Sequence, residues 1–314
     1  MSLIPPILPD ELLLGYLGRI AALNGCATRC DVALALGVVR QAWDAEMGEA
    51  GSVLSLVSLL NGLSPDGMLA AHTCHALARS IGARSEAIPG RREHDWANRM
   101  AIRNVGKRLR FCPGCIEEDL QQHRFTYWRR RHQVPGRYTC ADHDRPLGIT
   151  HEAPLGMSFP EDVLRFECAA EQGMFGLCTR NPHIAFVLNF LDLTLLRAEV
   201  LDRDQCSTVI RQAVQQRGED PSTPGWHIDF CRRIEAAFPM TWLRLVFATA
   251  KFPGGHLRPY YMGWISQRAL SIPHASLAVA ASLLFATPED ALEALVAEPN
   301  AGRGGSRRAA LPMI

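Results

Sequence analysis

Apolar residues recur at helical spacing along most of this chain and at strand-like spacing only in a short middle part. Leu13, Leu17, Ile20 and Ala21 form one stripe, which predicts a helix from Asp10, as N-cap, to Asn24, with Gly25 ending it. Thr28 with Asp31 suits the start of a short helix to Leu36. Val53 to Leu60 is apolar and stops at the turn signal Asn61-Gly62. Ser64 as N-cap and Pro65 at the first position then open a helix expected to reach Ile81. Ahead of these, Leu3 to Pro9 is rich in proline and predicts an extended arm lying over the first unit.

Helical patterning returns in the second half, over Ile184–Leu201, Gln205–Arg217, Trp226–Phe238, Met240–Lys251, Pro259–Arg268 and Pro273–Phe285. Thr287-Pro288-Glu289 is a capped start for a last helix to Ala297. Between the halves, Phe125 to Val134 is aromatic and β-favouring. Pro135-Gly136 makes a turn, and Arg137-Tyr138-Thr139 returns, the pattern of a hairpin. Polar or Pro/Gly-marked stretches at Arg84–Gly106 and Glu152–Phe159 separate the parts.

The expected fold is therefore mainly α and multi-domain. It comprises an N-terminal helical unit (1–90), a linker (91–110), a central zinc ribbon (111–150) built on the pairs Cys112-x2-Cys115 and Cys140-x2-His143, a degenerate second ribbon or loop (151–182), a C-terminal helical domain (183–298) and a flexible basic tail (299–314). The short N-terminal helices permit a helix-turn-helix and equally a plain bundle.

Composition narrows this little: 47% hydrophobic and 21% charged residues suit a globular protein with its own cores. No secretory signal is expected in Met1 to Pro9, and Ala275 to Ala286 is too short to span a bilayer, so no membrane partner is expected. Net charge is +1, yet from Arg91 to Arg145 thirteen basic side chains face seven acidic ones, with Arg129-Arg130-Arg131 consecutive. Nucleic-acid contact would concentrate there, through Arg129, Arg130, Arg131, His132 and Arg137; the alternative is a solvated ribbon edge whose charges deter aggregation. On a strand, Arg129 and Arg131 would share one face, and Trp128, Arg130 and His132 the other.

The middle also carries the one strong chemical motif. Cys112 and Cys115 form a Cys-x2-Cys pair, and Cys140 and His143 a Cys-x2-His pair. Two such knuckles across a hairpin-sized insert predict one tetrahedral zinc ion. Pro113 and Gly114 suit the first tight turn. Four protein ligands close a zinc site, which points to a structural ion; a catalytic zinc keeps a position open for water. Glu117-Glu118-Asp119 fits the start of a helix after the first knuckle better than a catalytic group. His72, Cys74 and His75, and Cys26 with Cys30, read as packing residues. Phosphate loops ending in Lys-Ser or Lys-Thr, Gly-x-Ser-x-Gly and His-Glu-x-x-His are all absent. Ten cysteines without a disulfide-scaffold pattern suit reduced thiols in a cytosol.

The order FCPGC, EEDL, YWRRRHQVPG and Cys-x-x-His followed by Pro146-Leu147 resembles the central motif of the TniQ/TnsD family of bacterial transposon target-selection proteins. Pro9-Asp10-Glu11-Leu12 leading to Gly18-Arg19-Ile20-Ala21 resembles that family's opening. The resemblance implies a non-enzymatic adaptor in the bacterial cytoplasm. Such an adaptor binds target DNA, or a CRISPR effector of the Cascade kind, and recruits an AAA+ ATPase regulator of the TnsC/TniB kind; some relatives are homodimers. Relatives often carry a second Cys-rich set. Here only Cys168 and Cys178 are present, giving a degenerate second ribbon without metal or, alternatively, a zinc completed by His151 or His183. Rival classes are a stand-alone DNA-binding regulator and a zinc-dependent nucleic-acid hydrolase.

Overall fold

The computed structural model describes residues 3–26, 31–32, 51–74, 77, 81–82, 109–150, 159–163, 172–197, 201–247, 262–266 and 271–297. The helix expected after Thr28 lies almost wholly outside them. So do the linker, His75, His151, Cys168 and the basic tail, and the ends of the helices expected at Met240–Lys251 and Pro259–Arg268.

Helix α1 (Leu13–Leu23), α2 (Gly51–Leu60) and α3 (Pro65–His72) gather around Tyr16, Ile20, Val57 and Met68. Asn61-Gly62 stops α2, with Gly62 at φ +68°, and Ser64 caps α3 by accepting from Gly67 N–H at 3.0 Å. The α3 helix ends at His72, short of Ile81. The arm is tied down by side-chain amides: Leu3 N–H donates to Asn24 Oδ1 at 2.8 Å and Ile7 N–H to Asn61 Oδ1 at 3.0 Å. Asp10 is not the cap of α1. Leu12 holds that position without a side-chain bond, and Asp10, at φ +58°, turns its carboxylate toward Arg130 (3.3 Å) and the Arg131 backbone N–H (3.2 Å).

The middle of the chain is closed at its neck by β1 (Arg110–Phe111) pairing antiparallel with β2 (Gly148–Ile149). Gly148 has no Cβ because one would run into the Phe111 ring. Helix α4 (Pro113–His123) starts at the first knuckle itself, with Cys112 as N-cap, so Glu117, Glu118 and Asp119 lie inside it. The hairpin expected over Phe125–Thr139 does not form. Its backbone groups are engaged elsewhere: Leu12 N–H donates to Trp128 O (2.7 Å), Arg130 N–H to Asp10 O (2.8 Å), and Arg131–Gln133 winds into a 3-10 turn. Burial still alternates as a strand would give it, with Trp128, Arg130 and His132 inside and Arg129 and Arg131 part-exposed.

A short α5 (Pro160–Val163) precedes the C-terminal helices α6 (Gln172–Arg180), α7 (Pro182–Arg197), α8 (Arg203–Gln216), α9 (Trp226–Ala237), α10 (Met240–Val246), α11 (Gly263–Ser266), α12 (His274–Leu284) and α13 (Pro288–Val296). Largely apolar, α7 and α12 are packed against each other, with α6, α8 and α13 around them. Asp202 caps α8 and Thr287 caps α13, each through the N–H three residues on. Trp242 Nε1–H donates to Gly136 O at 2.9 Å, seating this core against the middle segment. Ile81 and Ile272 form a β-bridge that ties it to the N-terminal unit. Among the described residues no single helix is long and apolar enough to cross a membrane; α12 and α13 satisfy that length only as a pair bent by 117°.

Candidate metal centre

Bonds of about 2.3 Å to sulfur and about 2.0–2.1 Å to nitrogen at tetrahedral angles put two zinc-bound sulfurs roughly 3.8 Å apart, and a sulfur roughly 3.6 Å from a nitrogen. In this structure Cys115 Sγ lies 3.6 Å from Cys140 Sγ and 3.4 Å from His143 Nδ1, and Cys140 Sγ lies 3.6 Å from His143 Nδ1. One ligand atom from each of Cys112, Cys115, Cys140 and His143 falls within 4.8 Å of all the others. The four residues present the spacing and donor set of a structural zinc site.

Local structure explains the convergence. Cys112 closes the strand β1 side and caps α4, and Cys115 sits on the first turn of that helix, so a helix N-terminus is aimed at the sulfurs. The second knuckle is a tight loop of its own: Cys140 N–H donates to Arg145 O (2.9 Å), Asp144 N–H to Cys140 O (3.0 Å) and Leu147 N–H to Tyr138 O (3.0 Å). Gly114 is required where the two knuckles meet, because a Cβ there would stand 2.6 Å from His143 Cδ2. On its far side His143 Nε2 faces Glu118 Oε1 at 3.1 Å, which fixes the ring with Nδ1 toward the sulfurs.

Three sulfurs this close do not ionise independently. Hydrogen bonds from Cys115 and Cys140 pull the Cys112 thiol below its ordinary value, while the same contact with Cys112 pushes Cys115 up. A dication among them would let all three ionise.

Of the basic residues read as contact candidates, each is engaged within the chain. Arg129 pairs with Asp119 at 2.6 Å and lies over the Tyr127 ring. Arg131 reaches Asp142 at 3.3 Å and Asp192 at 3.9 Å. Arg130 is buried and binds Asp10, the carbonyl of Ala70 on α3 and that of Leu195 on α7. Arg137 is buried against Asp192 at 2.6 Å and Leu188 O at 3.1 Å, both on α7. His132 is buried too, facing sulfur and not solvent. Side-chain exposure remains at Arg129, 18%, and Arg131, 24%.

Sequence reasoning did not reach Glu118, Asp10 or Asp192 as partners. The first was legible as an acid on the helix that begins at the knuckle. The other two meet their arginines across long separations that no local pattern encodes. Glu11 and Arg19 form a further buried pair, 2.7 and 2.9 Å at the two oxygens, and Leu8 N–H donates to Glu11 at 2.9 Å. The acidic and basic residues of the N-terminal motif therefore hold the arm and the middle segment together. His72 is buried with Nδ1 at Glu11 O, and Cys74 faces Arg130 O. Cys178 is a buried thiol directed at Gly136 O, 3.4 Å away.

Fold and site together define a mainly helical, multi-domain protein whose middle module clusters three cysteines and one histidine in a geometry that could hold a metal ion, sealed by a two-residue β-ladder. The TniQ family model matches residues 2–147, the stretch that holds the arm, the N-terminal helices and the module, and over that stretch the chain is similar to the family. The match ends just after the second knuckle, and the helices from α5 onward lie outside it. No curated protein matches the chain.

Proposed function

We propose that this protein is a non-enzymatic target-selection adaptor in DNA transposition. It binds target DNA, or an RNA-guided effector standing on it, and recruits the AAA+ ATPase that regulates the transposase. The TniQ match over residues 2–147 is the observation that carries this reading. The donor set supports it: three cysteines and a histidine use all four corners of a zinc ion, leaving none for a reacting water. Zinc held by Cys112, Cys115, Cys140 and His143 would act as a structural ion. Contact with nucleic acid or an acidic partner falls to Arg129 and Arg131, which keep exposed surface; Arg130, His132 and Arg137 support them from inside.

The test is capture of a purified transposon AAA+ ATPase by the full chain, with and without duplex DNA. Retention that strengthens with DNA is expected, and replacing Arg129 and Arg131 by Ala should weaken DNA binding and flatten its salt dependence. Tight duplex binding with no ATPase retained would turn the reading to a stand-alone regulator. Zinc-dependent cleavage of nucleic acid would turn it to a hydrolase.

A further inference from the structure

We propose that His132 is the internal hydrogen-bond donor to the metal site, its N–H shared between the Cys115 and Cys140 sulfurs, while making no bond to the metal itself. This rests on the reading that the four knuckle residues bind a metal. Its Nε2 lies 3.7 Å from Cys115 Sγ and 3.6 Å from Cys140 Sγ, within reach of one N–H shared between two sulfurs. The ring is 4% exposed, so it has exchanged water for these sulfurs. It arrives on the 3-10 turn Arg131–Gln133, whose position is set by Arg130 locked to Asp10 and by Gln133 Nε2–H donating to Arg110 O (2.8 Å) and Arg129 O (3.1 Å).

Two imidazoles thus face the same two sulfurs, and geometry assigns them different work. The group closing within 4.8 Å takes His143 and leaves His132 out. His143 is steered by Glu118 and requires a glycine at position 114 to lie where it does, as a ligand must. The chemistry of the set gives His132 its purpose. Three thiolates and a neutral imidazole around a dication leave one surplus negative charge in a buried place, and a buried anion needs donors. His132 supplies one to two sulfurs at once.

The experiment compares full-length wild type with His132→Met, which removes the donor, and His132→Gln, which restores an N–H, loading each with zinc and with cobalt(II). Chelator competition should show His132→Met weaker for zinc by about 10–100-fold, with His132→Gln between it and wild type. In the cobalt form the sulfur-to-metal charge-transfer band should move to lower energy in His132→Met, because unbonded thiolates donate more readily. The d–d envelope of a four-coordinate site with three sulfurs and one nitrogen should persist there and be lost in His143→Ala. Equal affinity and band position in all three proteins would overturn the proposal. So would an inverted result, with the envelope lost in His132→Met and kept in His143→Ala. If His132→Met does not fold, His132→Gln decides alone: a small shift with the envelope kept supports the donor role, and loss of the envelope refutes it. Failure of wild type to bind either metal would instead sink the metal reading on which the proposal stands.

Discussion

Around the module, carboxylates sit inside the protein beside arginines, and burial opposes their charge. Asp119 is the clearest case. Burial pushes its carboxyl up to about 6 from 3.8, and the Arg129 guanidinium pulls it back only in part. A native carboxyl that holds its proton longer than the unfolded one adds stability that is complete below 3.8 and is lost as pH rises through about 6. Asp119→Asn removes that dependence. Its melting temperature relative to wild type is therefore expected to fall behind as pH drops from 7 to 4, read by thermal melts across that range; movement in the opposite direction would mean that the Arg129 pair outweighs burial. Asp10, Glu11 and Asp192 are pushed up by burial as well, each with an arginine pulling down. The clustering of Cys112, Cys115, Cys140 and His143 was legible because each pair is local: a spacing of two residues is a constraint that a short stretch of sequence can express. The fate of Arg130 and Arg137 was not. Consecutive arginines look alike in sequence, and only tertiary packing separates one that meets Asp10 or Asp192 from one that meets solvent.

Among the elements, those whose boundaries rest on capping chemistry were the readable ones. Ser64-Pro65 and Thr287-Pro288 start α3 and α13 as expected, since the hydroxyl accepts from an N–H three residues on and proline needs no N–H at that place. Thr287→Ala should cost about 1 kcal/mol in urea unfolding, with Thr287→Ser close to wild type. A loss no larger than experimental scatter would show that α13 is held by Leu292 and Leu295 in the core without help from its cap. The stretch Phe125–Val134 misled for a physical reason. Aromatic and β-branched residues favour a half-buried extended chain, but here the partner backbone is the arm at Asp10–Leu12, with no second strand of a hairpin. The alternation of inside and outside was correctly legible; the pairing was not. Asp10 was misread in the same way, as a local cap when its partners stand at Arg130 and Arg131.

In the molecule as a whole, the middle segment touches both neighbours through buried polar contacts: Arg130 to α3 and α7, Arg137 to α7, and Gly136 to Trp242. Removing the metal should therefore be felt beyond the knuckles. Structural zinc contributes roughly 10–16 kcal/mol in small finger peptides. Cys112→Ser, or chelation of the wild type, is expected to open new protease cuts between Leu109 and Thr150 and to lower the melting temperature. An unchanged digest and melt would mean that the segment is held by its packing alone. The same geometry bears on where this protein can be cut for study. Trp128, 1% exposed, accepts through its carbonyl from Leu12, and Arg130 is gripped by Asp10. A fragment excised at Phe111 would bare that indole and orphan a guanidinium, however intact its cysteines. The smallest piece able to stand alone begins upstream of the acidic pair near the amino terminus.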